Sequence, residues 1–332
     1  MWFKNLRIYR FTQPFTLDAN SLNEALSEST FTPCNSQDIS RYGWVSPSQP
    51  KNGDDENLVH ASQGCLMICA KKQEKVLPAA VINEALEERV AEISEAEGRS
   101  IYRKERQNLK DDVVMALLPR AFTRSSLQFA YISPEKGYIV INSASANKAE
   151  ELLSALRESI GSLPVIPLVS KQLPHQAMTQ WVTDATAPQQ FELGEECELA
   201  DPKESTSVIR CKYQDLKSTE INNHLKTGMI VTKLALNWLQ GVDFILDDQL
   251  AIKRLRFADE VKEKATEAES EDSVEQFDIE FSVMAIELSA LIDNLLLGLG
   301  GISMESLSVE EIVARVEKSE TTVTGVDEVT FT

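Results

Sequence analysis

The sequence predicts an α+β protein built from mostly antiparallel sheets with packed helices. Three patterns carry that prediction. Short segments of alternating apolar and polar residues are separated by turn residues, as in hairpins. Helical periodicity appears in blocks between runs of such segments. The 332 residues include 42% hydrophobic ones, enough for sizeable cores.

The first strand is expected over residues 2–11, where Trp2, Leu6, Ile8 and Phe11 punctuate polar neighbours. A short helix follows at 18–28, then a polar loop at 47–57 and an apolar strand at 64–72. Pro78 suits a first helical turn and opens a helix to Glu97. Gly98 interrupts it, and a second, highly charged helix runs over 100–118. The narrow apolar stripes of this pair predict a protruding helical-hairpin arm.

Alternation resumes at 126–133 and 137–142 around Ser-Pro-Glu-Lys-Gly. Ser145 caps a helix to Ile160, and 163–169, with two prolines, reads as an edge strand. The second half has helices at 175–184 and 218–226 and strands at 206–213, 229–238, 243–247 and 250–257. On that reading Lys253 and Arg254 point to opposite faces of their strand.

Helix 273–297 places Val274, Phe277, Phe281, Met284, Leu288, Leu291 and Leu295 at alternating spacings of three and four. The seam fits packing on the chain's own sheet. The sharper alternative is contact with a second chain, for which Phe281, Met284, Leu288 and Leu291 are the candidates. This arrangement divides the chain into a central α/β region (1–77 plus 119–170), an inserted arm (78–118), a base region (171–301) and an acidic flexible tail (302–332).

The net charge is −19. Residues 265–332 hold sixteen acidic residues against two basic ones, a local −14, which leaves −5 on residues 1–264. Basic patches upstream are therefore compatible with an acidic total, because phosphate contacts depend on local potential. The basic sets are Arg120 and Arg124; Arg210, Lys212 and Lys217; Lys226 and Lys233; and Lys253, Arg254 and Arg256. Phe122 lies between two arginines. It either stacks on a base or packs beneath the helix-to-strand junction.

Five cysteines at irregular spacing argue for reduced thiols. No phosphate loop, nucleophile elbow or zinc motif occurs in the sequence, and no catalytic residue, metal or cofactor is implied. No run reaches the roughly 18 apolar residues expected of a membrane span.

Several segments together resemble the RdgC family of bacterial recombination-associated proteins. They are Trp-Phe-Lys-Asn-Leu at the start, Phe-Thr-Pro-Cys at 31–34, Leu-Leu-Pro-Arg-Ala-Phe at 117–122 and Ala-Ser-Ala at 144–146. Gly-Ser-Leu-Pro-Val at 161–165, Gln-Asp-Leu at 214–216, Val-Thr-Lys-Leu-Ala-Leu at 231–236 and Lys-Arg-Leu-Arg-Phe at 253–257 follow in order.

The resemblance implies a closed, ring-like homodimer whose basic hole admits double-stranded and also single-stranded DNA without sequence preference. It implies antagonism with the RecA recombinase, action around replication forks, and a cytoplasmic, nucleoid-associated location. Carried onto this chain, the DNA-binding residues are Arg120, Phe122 and Lys212. Lys226 and Lys233 join them by proximity and Arg124 as an accessory cation. Tyr213 stands where some relatives carry a second lysine. The contrasting reading is an acidic protein-interaction scaffold.

Overall fold

The computed structural model describes residues 2–51, 56–203, 206–239, 241–266 and 272–303. The expected acidic tail at 302–332 lies almost wholly outside them. In chain order the first half contains β1 (Arg7–Phe11), α1 (Ala19–Ser27), β2 (Ser40–Val45), β3 (Val59–Ser62) and β4 (Cys65–Val76). Then come α2 (Ala79–Glu97), α3 (Arg103–Leu117), a 3-10 turn (Leu118–Arg120), β5 (Phe122–Ser133), β6 (Tyr138–Ile141), α4 (Ala146–Ile160) and β7 (Val165–Pro167). The second half adds α5 (Pro174–Thr183), β8 (Phe191–Ala200), β9 (Val208–Lys212), α6 (Thr219–Lys226), β10 (Ile230–Trp238), β11 (Val242–Asp247), β12 (Ile252–Phe257), α7 (Asp259–Thr266) and α8 (Ser273–Gly298).

Every ladder between these strands is antiparallel. The first sheet runs β2-β4-β5-β6-β1-β7, with β3 also on β4, and the proline-bearing β7 lies at its edge as expected. The second runs β12-β11-β10-β8-β9. β8 is a central strand that the sequence reading omits, as it omits β2, β3 and α7.

Side-chain caps start several helices. Asp18 accepts from Ser21 N at 2.8 Å, Ser145 from Lys148 N at 3.4 Å, and Asp272 from Val274 N at 2.9 Å. Gly98, in the left-handed conformation at φ 65°, ends α2. α2 and α3 pack together, with Leu86 and Val113 buried, and are joined by an Arg106–Glu87 ion pair.

The seven-stranded sheet has cores on both faces. On one, Leu22 and Leu26 of α1 and Leu152, Leu153 and Leu156 of α4 cover Ile68, Ile132 and Ile139. On the other, a continuous core joins α8 and α5 to the inner faces of both sheets. α8 lies within that core. Phe281 sits 6.1 Å from both Tyr131 and His60, ring centre to ring centre, and Phe3 N donates to Met284 Sδ at 3.2 Å.

This corrects one expectation. Phe281 is 1% exposed, and Met284, Leu288 and Leu291 are 0% exposed. The heptad seam packs inside its own chain, so these four side chains have no free surface to offer a second one. By length and composition α8 could also cross a membrane. Its buried residues, from Phe277 to Leu296, instead make it the central helix of a core.

Candidate nucleic-acid interface

Two arrangements bring cations and exposed aromatics to the surface. The first is the β4–β5 ribbon. Its register runs unbroken from Leu66 opposite Ile132 to Val76 opposite Phe122. The inner half of β5, from Phe129, is buried, whereas Phe122–Leu127 are exposed. β5 therefore begins four residues earlier than alternation predicts, because its outer half has no apolar face to signal it.

α3 ends at Leu117, Pro119 lies in the 3-10 turn that follows, and Phe122 emerges 86% exposed. The packing alternative for Phe122 is thus excluded. Ala121 separates it from the exposed Arg120. Arg124 shares its ribbon face, two residues along. Among the described residues neither arginine forms an ion pair.

The second arrangement is the open face of the five-stranded sheet. Val231, Leu234 and Leu236 of β10 point into the core, and Lys233 points away from it. A row of alternating charge crosses all five strands. Arg210 on β9 donates to Glu198 on β8 at 2.8 Å, and Lys233 on β10 reaches the same carboxylate at 2.9 Å. Lys233 also faces Asp247 on β11 in register, and Asp247 binds Lys253 of β12 at 2.8 Å.

A second row starts at Lys212, which faces Glu196. Glu196 instead pairs with Arg254 at 3.0 Å, so Lys212 is exposed and without an ion-pair partner among the described residues. Glu196, Glu198, Arg210, Lys212, Lys233, Lys253 and Arg254 line a shallow cleft of about 350 Å³.

The position of Arg254 corrects the strand reading. The β11–β12 register shifts between Asp243 and Ile245, and Arg254 has a φ of 51°. Two residues of β12 therefore oppose one of β11, a bulge that interrupts alternation. Lys253, Arg254 and Arg256 all reach the solvent side while Leu255 and Phe257 stay buried. Tyr213 adopts a φ of 54° directly after Lys212 and is 83% exposed. It gives this face an exposed aromatic beside an unpaired cation, as Phe122 does on the ribbon.

Lys226 ends α6, which packs on the covered side of the sheet through Ile221 and Leu225. It is exposed but is not brought into the cleft with Lys233. Arg120, Phe122 and Arg124 belong to the other sheet. Of the acids that organise the charge rows, Glu196 and Glu198 are missing from the sequence reading, which places Asp247 only in the turn between two strands. The alternating run Glu-Cys-Glu-Leu at 196–199 is the signal that would have placed two of them on one face.

Burial alone would raise the Glu198 carboxyl above its ordinary value. Hydrogen bonds from Lys233 and Arg210, with their charges, outweigh it and hold the carboxyl lower. The stabilisation from these pairs is therefore complete above the unfolded carboxylate pKa and is lost as pH falls through the lower folded value.

The sequence profile of the family described as "Putative exonuclease, RdgC" matches residues 1–302. The chain belongs to the RdgC family. Among curated relatives, the recombination-associated protein RdgC of Tolumonas auensis is 46% identical over 301 residues, covering 91% of this chain and 99% of that protein. The protein of the same name from Pseudomonas aeruginosa is 47% identical over 301 residues, covering 91% and 98%. The RdgC match thus spans both sheets, α8, the ribbon and the cleft, and residues 303–332 lie beyond it.

Proposed function

We propose that this chain is a sequence-independent DNA-binding protein that restrains RecA-mediated recombination and acts around replication forks. The observation that carries this reading is Phe122, 86% exposed on a β-ribbon between Arg120 and Arg124, which are exposed and form no ion pair among the described residues. Lys212 and Arg256 on the second sheet add exposed cations without an ion-pair partner among the described residues, and the relatives' name supplies the recombination context. Such a surface binds phosphates and stacks on bases without reading base edges.

In this reading two copies close into a ring around double-stranded DNA, accept single strands as well, and work in the nucleoid-associated cytoplasm without a cofactor. The 78–118 arm and the base region 171–301 supply the contacts between copies. Since the α8 seam is internal, those contacts fall on exposed apolar residues instead: Val81, Tyr102 and Met115 on the arm, and Ile286 and Leu297 on the outer face of α8.

The decisive experiment is a mobility-shift titration on linear and closed duplex DNA at two salt concentrations. Log affinity falls with log salt by about 0.9 for each phosphate neutralised. Salt-insensitive binding, or none, overturns the reading in favour of an acidic protein-interaction scaffold. Metal-dependent strand cleavage by the pure protein favours the exonuclease description of the family.

Within the cleft, Glu198 competes with phosphate for Arg210 and Lys233. Glu198→Gln keeps the shape and removes the charge. The expected result is several-fold tighter DNA binding and a salt slope steeper by about 0.9 per cation released. Weaker binding by a folded variant assigns Glu198 to holding the cations in place.

A further inference from the structure

Beneath the cleft, on the inner side of the same two strands, Cys197 of β8 lies directly opposite Cys211 of β9. Asp201 N donates to Ser207 O at 3.1 Å one step past the Ala200–Val208 pair. Facing pairs of one type recur every second residue in an antiparallel ladder, so Cys197 and Cys211 form a hydrogen-bonded facing pair. Such pairs place their Cα atoms about 5.5 Å apart. That lies inside the roughly 4.4–6.8 Å that a disulfide spans.

The two side chains belong to the same apolar cluster on the inner side of the sheet. Burial, then the neighbouring Cys211 sulfur, pushes the Cys197 thiol up to about 12. Cys197 is 4% exposed, whereas Cys211 is partly exposed on the edge strand of the sheet. The other buried cysteines, Cys65 and Cys69, lie along one strand and not across a ladder.

We infer that Cys197 and Cys211 form a redox site, closed by peroxide into a cross-strand disulfide that pins β9 to β8. The more accessible Cys211 loses its proton, and its sulfur attacks one peroxide oxygen. The O–O bond breaks, hydroxide leaves, and Cys211 becomes a sulfenic acid. The Cys197 sulfur then attacks the Cys211 sulfur, forming the S–S bond and breaking the S–O bond. The Cys197 proton and the departing hydroxyl make water. Overall two thiols and one hydrogen peroxide give one disulfide and two waters, each sulfur losing one electron. The bond ties together the strands carrying Lys212 and Arg210 on one side and Glu196 and Glu198 on the other. This inference stands apart from the DNA-binding reading.

The test treats the full chain with hydrogen peroxide, then maps peptides by mass spectrometry without reduction. The expected product is a peptide joined between Cys197 and Cys211 that a dithiol separates. The Cys197→Ser variant should stop at a sulfenic acid on Cys211, trapped by a cyclic dione. Amide hydrogen exchange across residues 208–212 should slow several-fold on oxidation and recover on reduction. Free thiols at both positions in oxidised, folded protein, or a bridge between other cysteines, overturn the proposal. A correct bridge with unchanged exchange overturns the pinning of β9.

Discussion

Changing Arg120 and Phe122 together to alanine should abolish most DNA binding while leaving fold and oligomeric state unchanged. Phe122 is 86% exposed, so its ring has few contacts in the chain to lose. A base stacked on such a ring contributes about 1–3 kcal/mol by alanine substitution. That alone predicts a loss of roughly 5- to 150-fold in affinity. Arg120 has no carboxylate partner among the described residues, and its removal should make the salt slope shallower by about 0.9.

The two effects are separable. Phe122→Ala should lower affinity at every salt concentration with little change of slope, whereas Arg120→Ala should change the slope. A mobility-shift titration reads both, and sedimentation reads oligomeric state. Loss of the oligomer with retained DNA affinity would reassign the junction to subunit contact.

The junction also shows what sequence can and cannot reveal. Pro119 marks the end of α3 from chemistry alone, because a proline lacks the N–H that a helix interior needs. Whether Phe122 stacks inward or stands in solvent depends on the partner strand. Its neighbour across the ladder is Val76, itself 42% exposed, on a strand that outruns the core. No periodicity within β5 encodes that.

A similar limit hides β8. Leu193 faces Leu236 and Cys197 faces Leu234, so the ladder shifts register between them and breaks the two-residue period. The bulge at Arg254 has the same origin. Strict alternation puts neighbouring side chains on opposite faces, and one residue in the left-handed region restores both cations to one face. Helices α1, α4 and α8 were legible because caps and apolar spacing are local. The charge rows across the second sheet join residues as distant as Glu198 and Lys233, and only strand order reveals them.

Phe281→Ala should lower the stability of the chain by about 3–5 kcal/mol, the usual range for emptying a buried aromatic site. The ring is 1% exposed and lies against Tyr131 of the first sheet and His60 of β3. Its removal opens a cavity between elements that are also tied by Ser62–Ser282 at 2.7 Å and His60–Asp278 at 2.8 Å.

Urea denaturation distinguishes this from a subunit contact. A core site lowers the midpoint at unchanged slope, by a similar amount at every protein concentration. An interface between copies makes the midpoint rise with protein concentration, and truncating a residue in that interface weakens the rise. Ile286, 55% exposed on the same helix, is the control, and its change to alanine should alter stability of the chain itself by no more than about 0.5 kcal/mol. A midpoint that rises with concentration in the unmutated chain and in Phe281→Ala but not in Ile286→Ala would place the contact between copies on the outer face of α8. Loss of that rise in Phe281→Ala, with Ile286→Ala keeping it, would return the heptad seam to the interface and overturn its place in the core.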